Sequence, residues 1–395
     1  MSAGRFSDFD HQCMARALEL ARRALYTTDP NPRVGCVLAH DGLIIAEGFH
    51  ARAGEPHAER NALATAGEHA RGVTAYVTLE PCSHTGRTGP CADALIDAGV
   101  ARVVAAMQDP NPQVAGSGLQ RLRDAGIQVD TGLQEADARV LNPGFVLRMS
   151  QGRPLIRIKA AASLDGRTAM ASGESQWITG PEAREDVQRL RARSSAIVTG
   201  IGTVLADRPS YTVRPEQWRH GEYGDGPLRV PLRVVLDPAL RTPVDSPVIT
   251  ADGPCLIAHA DDSDAAPDDR RRALEHAGAE LLALPRARAA SDPAEPGAAA
   301  RAERRGLDLH ALIAELTRRE CNEVLVECGA TLAGAFVREA LFDELVVYLA
   351  PTLLGADARG LLDLPFDRMD QRVRLRWHDL RRVGDDLRLT LTPRT

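Results

Sequence analysis

Apolar and polar positions change period repeatedly along the first 150 residues. Met14, Ala17, Leu18, Ala21 and Leu25 recur at helical spacing, which predicts an amphipathic helix over residues 8–25. Val34–Ala39 and Leu43–Ala46 are short apolar runs separated by His40-Asp41-Gly42, and they predict two strands joined as a hairpin. A helix is then expected from about His57 to His69, a strand at Ala75–Leu79 and a helix at Cys91–Ala98. Strand Val103–Met107 and helix Leu119–Asp124 continue the alternation. This half reads as a helix-covered mixed sheet that ends near Met149.

Pro154–Lys159 starts a new strand, and the alternation resumes beyond it. Helix Pro181–Arg193, strands Ala196–Thr199 and Arg233–Leu236, helix Leu309–Arg319, strand Glu323–Glu327, helix Leu332–Ala340 and strands Leu345–Leu349 and Leu387–Leu391 are expected. At 395 residues the chain is too long for one ordinary core. The predicted class is therefore α/β in two domains, 1–149 and 154–395. Residues 285–305 are rich in Ala, Arg, Pro and Glu without a periodic apolar face, and are expected to be a solvated surface insertion.

Composition narrows the classes. A content of 44% apolar and 26% charged residues is that of a globular protein. The net charge of −6 offers no general field for nucleic acid, although a few arginines suffice for a small anionic substrate. No apolar run approaches the ~20 residues needed to span a bilayer, and the first residues lack a signal-peptide core. Seven scattered cysteines argue for a reducing compartment over a disulfide framework. A cytoplasmic protein with no membrane or nucleic-acid partner is expected.

The densest chemistry lies in Pro56-His57-Ala58-Glu59, Pro81-Cys82 and Cys91. One imidazole and two thiolates make three ligands for a tetrahedral zinc, with the fourth position open to a water whose pKa falls to about 7. Glu59 is close enough to carry protons without occupying the metal. A His-x-Glu…Pro-Cys…Cys arrangement is that of zinc deaminases acting on nucleobases, in which ammonia leaves a ring carbon. A structural zinc site would use four ligands, and only His84 stands at close spacing for that role. Buried inert cysteines are the other alternative, but neither accounts for Glu59 and the prolines.

Two glycine-bearing turns follow strands in the second half. Thr199-Gly200-Ile201-Gly202-Thr203 has Leu205 where a dinucleotide fingerprint has its third glycine. Glu327-Cys328-Gly329-Ala330-Thr331-Leu332-Ala333-Gly334 runs from strand into helix and lacks the P-loop lysine. Taken alone, each is a better connection than cofactor site.

These residues occur in order with Asn31-Pro32-Arg33-Val34-Gly35, Ser163-Leu164-Asp165-Gly166-Arg167-Thr168-Ala169, Gly173-Glu174-Ser175-Gln176-Trp177-Ile178-Thr179 and Thr203-Val204-Leu205-Ala206-Asp207. Together they closely resemble the bifunctional deaminase–reductase family of riboflavin biosynthesis, over nearly the whole chain. The resemblance implies a cytidine-deaminase-like zinc domain followed by a dihydrofolate-reductase-like domain that uses NADPH. It implies deamination of a phosphoribosylated diaminopyrimidine, then reduction of its ribosyl group to ribityl.

By the same resemblance, Asn31, His50, His84 and Arg87 would meet the deaminase substrate. Lys159 and Glu327 would face the reductase substrate as candidates for proton transfer, and Ser175, Arg191, Tyr211 and Arg214 would hold it. Ala161, Trp177, Thr203, Asp207 and the turn Gly329, Ala330, Thr331, Leu332, Ala333, Gly334, Ala335 would line the NADPH site. For Arg191 a salt-bridged helix face is a serious rival, because Glu182, Arg184, Glu185 and Asp186 share its helix. Three features depart from the pattern: Arg208 follows Asp207 where an acid is expected, and residues 216–231 and 285–305 look long. A nucleic-acid deaminase with an appended binding module, or a regulatory protein with structural zinc, are the rival functions. Homo-oligomerisation stays open.

Overall fold

The computed structural model describes residues 5–83, 89–112, 114–214, 228–262, 267–287 and 306–394. The chain forms two compact units that part between Arg153 and Pro154, and Leu228 and Arg229 group with the first.

The first unit is one five-stranded sheet with helices around it. Its strands are β1 (Gly35–His40), β2 (Leu43–Phe49), β3 (Thr74–Val77), β4 (Arg102–Ala105) and β5 (Gln128–Thr131), in the order β2-β1-β3-β4-β5. β1 is antiparallel to both neighbours, whereas β3, β4 and β5 run parallel. Asp41 and Gly42, both at positive φ, make the two-residue turn between β1 and β2, which matches the twist of the paired strands. The helices are α1 (Asp8–Arg22), α2 (Ala58–Ala66), α3 (Cys91–Asp97), α4 (Ser117–Asp124), α5 (Glu135–Leu141) and α6 (Pro143–Gln151). α2 is shorter than its apolar pattern predicts, because Gly67 takes a positive φ and a 3₁₀ turn replaces the last helical turn. α6 runs two residues past Met149 and stops at Gly152 in the left-handed conformation.

α1 and α2 lie flush against the sheet at glycines. A Cβ on Gly35 would stand 2.0 Å from the Ala17 carbonyl oxygen, and one on Gly48 would stand 2.4 Å from that of Ala58. No side chain fits there, so the helices approach the strands at backbone distance.

The second unit is a nine-stranded sheet. Its strands are β6 (Leu155–Ser163), β8 (Ala196–Gly200), β9 (Leu232–Leu236), β10 (Cys255–Ala260), β11 (Ala279–Leu284), β12 (Glu323–Glu327), β13 (Glu344–Ala350), β15 (Leu375–Val383) and β16 (Asp386–Pro393). Their order is β11-β10-β9-β8-β12-β6-β13-β16-β15. The seven from β11 to β13 are parallel, and β16 and β15 close one edge antiparallel. A small pair, β7 (Arg167–Ala169) and β14 (Arg359–Gly360), stands apart. Helices α7 (Pro181–Arg193), α8 (Ile201–Asp207), α9 (Pro247–Thr250), α10 (Asp268–His276), α11 (Leu309–Arg318) and α12 (Ala330–Arg338) complete it. Two separate apolar clusters line the sheet, one around Ile158, Val326 and Phe336 and one around Ile197, Val235 and Ile257. That two-sided burial is why its central strands read as continuous apolar runs.

Of the expected insertion 285–305, residues 288–305 lie outside the described residues; Arg286 bridges Leu307 across it. Among the described residues no helix is long and apolar enough to cross a membrane.

The start of α1 is tied to the sheet by Asp10. Its Oδ1 accepts from the Tyr76 hydroxyl and the Arg102 guanidinium, each at 2.7 Å, while Oδ2 accepts from the Ser7 backbone N–H at 2.7 Å in a capping box. Burial opposes ionisation of this carboxyl, but the Ser7, Tyr76 and Arg102 bonds outweigh it and hold the pKa down at about 2. A depressed carboxylate contributes stability above its unfolded pKa of about 3.9 that is lost as pH falls through the folded value. The first unit should therefore weaken progressively between about pH 4 and pH 2, and Asp10→Asn should flatten that part of the pH–stability curve; urea titrations of both proteins would read it.

Candidate functional site

In the first unit, three side chains from distant parts of the chain meet at the start of α2. His57 is the N-cap residue of α2, with extended backbone (φ −73°, ψ 165°) that frees its ring from the helix. Cys82 follows β3 by five residues, and Cys91 is the first residue of α3. His57 Nδ1 lies 3.6 Å from Cys82 Sγ and 3.4 Å from Cys91 Sγ. All three donor atoms fall within 4.8 Å of one another. A tetrahedral ion with the usual zinc–nitrogen and zinc–sulfur bonds sets such atoms about 3.6–3.8 Å apart, so this donor set fits zinc. The hydrogen bond between the thiols, reinforced at Cys82 by His57, lowers Cys82 and raises Cys91, which favours the proton on Cys91. A metal with two thiolate ligands would displace that proton.

Both cysteine segments are tied down by residues the sequence reading did not single out. Arg60, one residue past Glu59, donates to the Gly89 carbonyl through Nε at 3.2 Å and Nη2 at 2.6 Å. That fixes the chain immediately before Pro90 and Cys91. Glu80, two residues before Cys82, is 4% exposed and accepts four backbone N–H groups, from Asp109, Gly116, Gly118 and Leu119. Neither residue belongs to a recognisable metal-ligand spacing, and only the fold brings their partners near.

Glu59 occupies the first turn of α2 at 3% exposure, within hydrogen-bonding reach of Cys91. Burial pushes its pKa up to about 7, the range in which a carboxyl both gives and takes protons near neutrality. His50 is buried and stacks edge-on against His57, with ring centroids 5.1 Å apart. Its Nδ1 donates to the Pro56 carbonyl at 3.1 Å, and its Nε2 faces Asn31 Nδ2 at 3.0 Å. Burial, with the neighbouring His57, holds His50 below its ordinary pKa and favours the neutral ring. Asn31, His50 and the metal cluster are thus contiguous. His84 and Arg87 lie outside the described residues.

In the second unit, the expected residues gather at the carboxyl ends of β8, β12 and β6. β12 is inserted between β8 and β6 although it follows both in the chain; ligands of open parallel sheets bind where strand order breaks in this way. β6 is buried at Leu155–Ile158 and half-exposed over Lys159–Ala161, so the crevice opens beside Lys159 and Ala161. Lys159 and Glu327 are register partners on adjacent strands, with Nζ 4.0 Å from Oε2. Arg191, near the end of α7, grips Glu327 bidentately at 2.7 and 2.9 Å. Burial opposes ionisation of Glu327, but Arg191 and then Lys159 outweigh it and keep the carboxyl below its ordinary pKa. Burial, with Arg191 nearby, lowers Lys159 despite the Glu327 charge. Arg191 therefore pairs across the sheet, not along its helix: Glu185 takes Arg189, and Asp186 takes Arg388 and the Tyr348 hydroxyl.

The remaining expected residues divide between the crevice and the interior. Thr203 Oγ1 accepts from the Gly329 N–H at 3.2 Å, which joins the two glycine turns. In the Gly329–Ala335 stretch, Gly329 and Thr331 are exposed and Ala330 and Leu332 half-exposed. Ala333 and Gly334 are buried, and a Cβ on Gly334 would meet the Asp363 carbonyl oxygen at 2.2 Å. Tyr211 is also buried; its hydroxyl donates to the Glu327 carbonyl and shares a hydrogen bond with Thr199, while Arg191 lies over its ring. Trp177 is 70% exposed, with the Arg184 guanidinium 4.6 Å from its ring centroid. Ser175 is half-buried two residues earlier, and Arg214 and Asp207 are exposed.

Comparison with known proteins decides the family. The model of the cytidine and deoxycytidylate deaminase zinc-binding region matches residues 7–107, and that of the RibD C-terminal domain matches residues 154–389. The riboflavin biosynthesis protein RibD of Escherichia coli K12 is 50% identical over 390 residues, covering 97% of this chain and 99% of that protein. The chain belongs to the RibD family. Acinetobacter baumannii RibD, 44% identical, superposes with a TM-score of 0.85 over 98% of this chain and 99% of that one. A diaminohydroxyphosphoribosylaminopyrimidine deaminase/5-amino-6-(5-phosphoribosylamino)uracil reductase of Thermotoga maritima, 29% identical, gives 0.79 over the same shares. As a RibD, the chain is a two-domain enzyme of riboflavin biosynthesis, with a zinc-binding deaminase half and an NADPH-dependent reductase half.

The Arg191–Glu327 pair makes a direct test. Removing one partner of a buried pair leaves an uncompensated charge and costs about 3–5 kcal/mol. Arg191→Met leaves Glu327 with Lys159 alone and should destabilise the reductase unit by less than that, and adding Glu327→Gln should recover only part of the loss, because Lys159 then lacks its anion. Urea unfolding of the two single variants and the double variant would measure the coupling.

Proposed function

We propose that the chain deaminates 2,5-diamino-6-(5-phosphoribosylamino)pyrimidin-4-one and then reduces the ribosyl group of the product to ribityl with NADPH. The observation that carries the reading is one chain holding both a three-donor metal cluster beside a buried carboxyl and a Lys–Glu–Arg cluster at parallel strand ends. Residues 1–149 and 154–395 are the proposed functional domains.

In the deaminase half, His57, Cys82 and Cys91 would hold zinc, which when bound supplies an acidified water as nucleophile. Glu59 moves the protons: its carboxyl takes one from the attacking water and delivers one to the exocyclic nitrogen as the carbon–nitrogen bond breaks and ammonia leaves. A carboxyl near pKa 7 serves both transfers. Neutral His50, held by Pro56, directs its ring nitrogen at Asn31 and so orients that amide toward the pyrimidine or its ribose. In this proposal His84 and Arg87 complete the binding set, with Arg87 taking the substrate phosphate.

In the reductase half, NADPH when bound would supply the hydride for the sugar C1 of the opened ribosyl group. Thr203, Asp207, Ala161, Trp177 and the exposed part of Gly329–Ala335, the N-cap and opening turns of α12, would hold the dinucleotide. Both Glu327 oxygens are engaged by Arg191, so Glu327 serves best as an anchor for the substrate and for Lys159. Lys159, its pKa lowered by burial, is the proposed proton donor to the sugar oxygen. Ser175 and Arg214 would take the phosphate and ribose, with Tyr211 and Arg191 behind them. The substrates are small phosphorylated pyrimidines; a homo-oligomer is compatible with this reading.

Glu59→Gln should retain zinc and lose at least about a hundredfold in ammonia release, while NADPH oxidation with the deaminated product proceeds as in wild type. Equal loss of both activities would overturn the division of labour. Arg214→Ala should raise the KM for the reductase substrate by about one to two decades, as loss of a charge-assisted bond of roughly 1.5–3 kcal/mol requires, with the NADPH KM nearly unaltered. Asp207→Ala should give the opposite pattern in steady-state kinetics.

A further inference from the structure

We infer that Glu80 is the positioning residue for the zinc ligand Cys82, acting by capping α4 from the segment that follows β3. The inference rests on the zinc assignment above. α4 begins at Gly116, a residue with no side chain, and has no side-chain cap of its own. The opening amides of a helix have no partner within it, and a side-chain oxygen at the N-cap normally accepts from the second or third. Here Glu80 Oε1 does this from outside, taking the Gly118 N–H at 2.9 Å and the Leu119 N–H at 3.3 Å. Its Oε2 takes Gly116 at 2.9 Å and Asp109 at 3.0 Å, gathering the whole connection from β4 to α4.

The same segment is clamped at each following residue. A Cβ on Gly118 would sit 1.9 Å from the Pro81 carbonyl oxygen, so α4 rests directly on the Pro81 peptide. Ser83 Oγ and Ser117 Oγ are 2.6 Å apart, and Arg121 donates to the Ser83 carbonyl at 3.3 Å. Cys82 is enclosed by these contacts, and its own carbonyl accepts from Ala92 in α3. The Cys82 segment is therefore held on one side by α4, docked through Glu80, and on the other by α3, whose Cys91 N–H also donates to Cys82 Sγ at 3.3 Å. Cys91 has a further tether through Arg60. Glutamine cannot replace the carboxylate, because it offers one acceptor oxygen and turns an amide NH₂ on two of the four N–H groups.

The test measures zinc affinity in the full chain by chelator competition, with NADPH-dependent reductase activity as control for the second unit. Glu80→Gln should raise the zinc Kd about 10–100-fold, the usual effect of removing a partner that orients a metal ligand. Excess zinc should restore deaminase kcat to within a few-fold of wild type, which it cannot do for Glu59→Gln. Gly118→Ala, which disturbs the same contact from the helix side, should weaken zinc in the same direction. Wild-type zinc affinity in both variants would overturn the inference, as would a deaminase defect in Glu80→Gln that zinc does not rescue. If Glu80→Gln abolishes cooperative unfolding of the first unit, Ser117→Ala, which removes the Ser83 contact and the local bond to the Val114 carbonyl but leaves the Glu80 bonds, takes over: a several-fold weaker zinc Kd supports the inference and an unchanged Kd overturns it. A wild-type protein without zinc would instead overturn the metal assignment itself.

Discussion

Parallel pairing of strands is the constraint on which both units depend. Parallel neighbours cannot be joined by a tight turn, so each must be followed by a connection that leaves its carboxyl end and returns over the sheet. In the first unit, β3 and β4 are such a pair, and their exits carry Glu80, Pro81 and Cys82 on one side and Asp109 to Leu119 on the other. In the second, β8, β12 and β6 deliver the Gly200–Thr203 turn, the Glu327–Gly329 turn and Lys159 to the same end of the sheet. Where polar groups must be buried at those exits, they are satisfied locally: four N–H groups on Glu80, and one bidentate guanidinium on Glu327. Buried polar groups without such partners would cost more than the loops could offset.

The two units solve the charge problem differently. Glu59 is buried, and burial raises its pKa toward neutrality although the neighbouring His57 favours the charged form. Glu327 is buried against Arg191 and Lys159, and its pKa falls. One carboxyl is thereby fitted to exchange protons and the other to stay charged and hold position, although both are buried glutamates. Lys159 feels the second arrangement from the other side, since the arginine that secures Glu327 also disfavours a second positive charge.

The chemistry of the first unit was legible because His57, Cys82 and Cys91 need a particular set of donor types, and Glu59 has no purpose in a structural site. The strands with apolar runs, such as Glu323–Glu327 and Leu345–Leu349, were legible for the same reason that they are central. Strand β15 was not: Arg376, His378, Asp379, Arg381 and Arg382 leave it looking like a loop, and it lies at the sheet edge with most residues exposed. β10 was missed although fully buried, because its small residues Cys255, Ala258 and Ala260 give no distinct period. Arg191 could be placed on its helix but not given its partner, since Glu327 is 136 residues away. Glu80 and Arg60 were invisible for a similar reason: what they bind is mainly backbone, which has no sequence signature.

The flush contact of α2 against β2 at Gly48 has a thermodynamic consequence. The helix whose N-cap is His57 and whose first turn carries Glu59 packs on that strand at backbone distance, so a displacement of the strand carries both residues with it. Metal occupancy and integrity of the sheet are then one equilibrium, and free zinc raises the apparent stability of the first unit by RT ln(1 + [Zn]/Kd). A cell starved of zinc would thus hold a smaller folded fraction of this unit, exposing it to proteolysis.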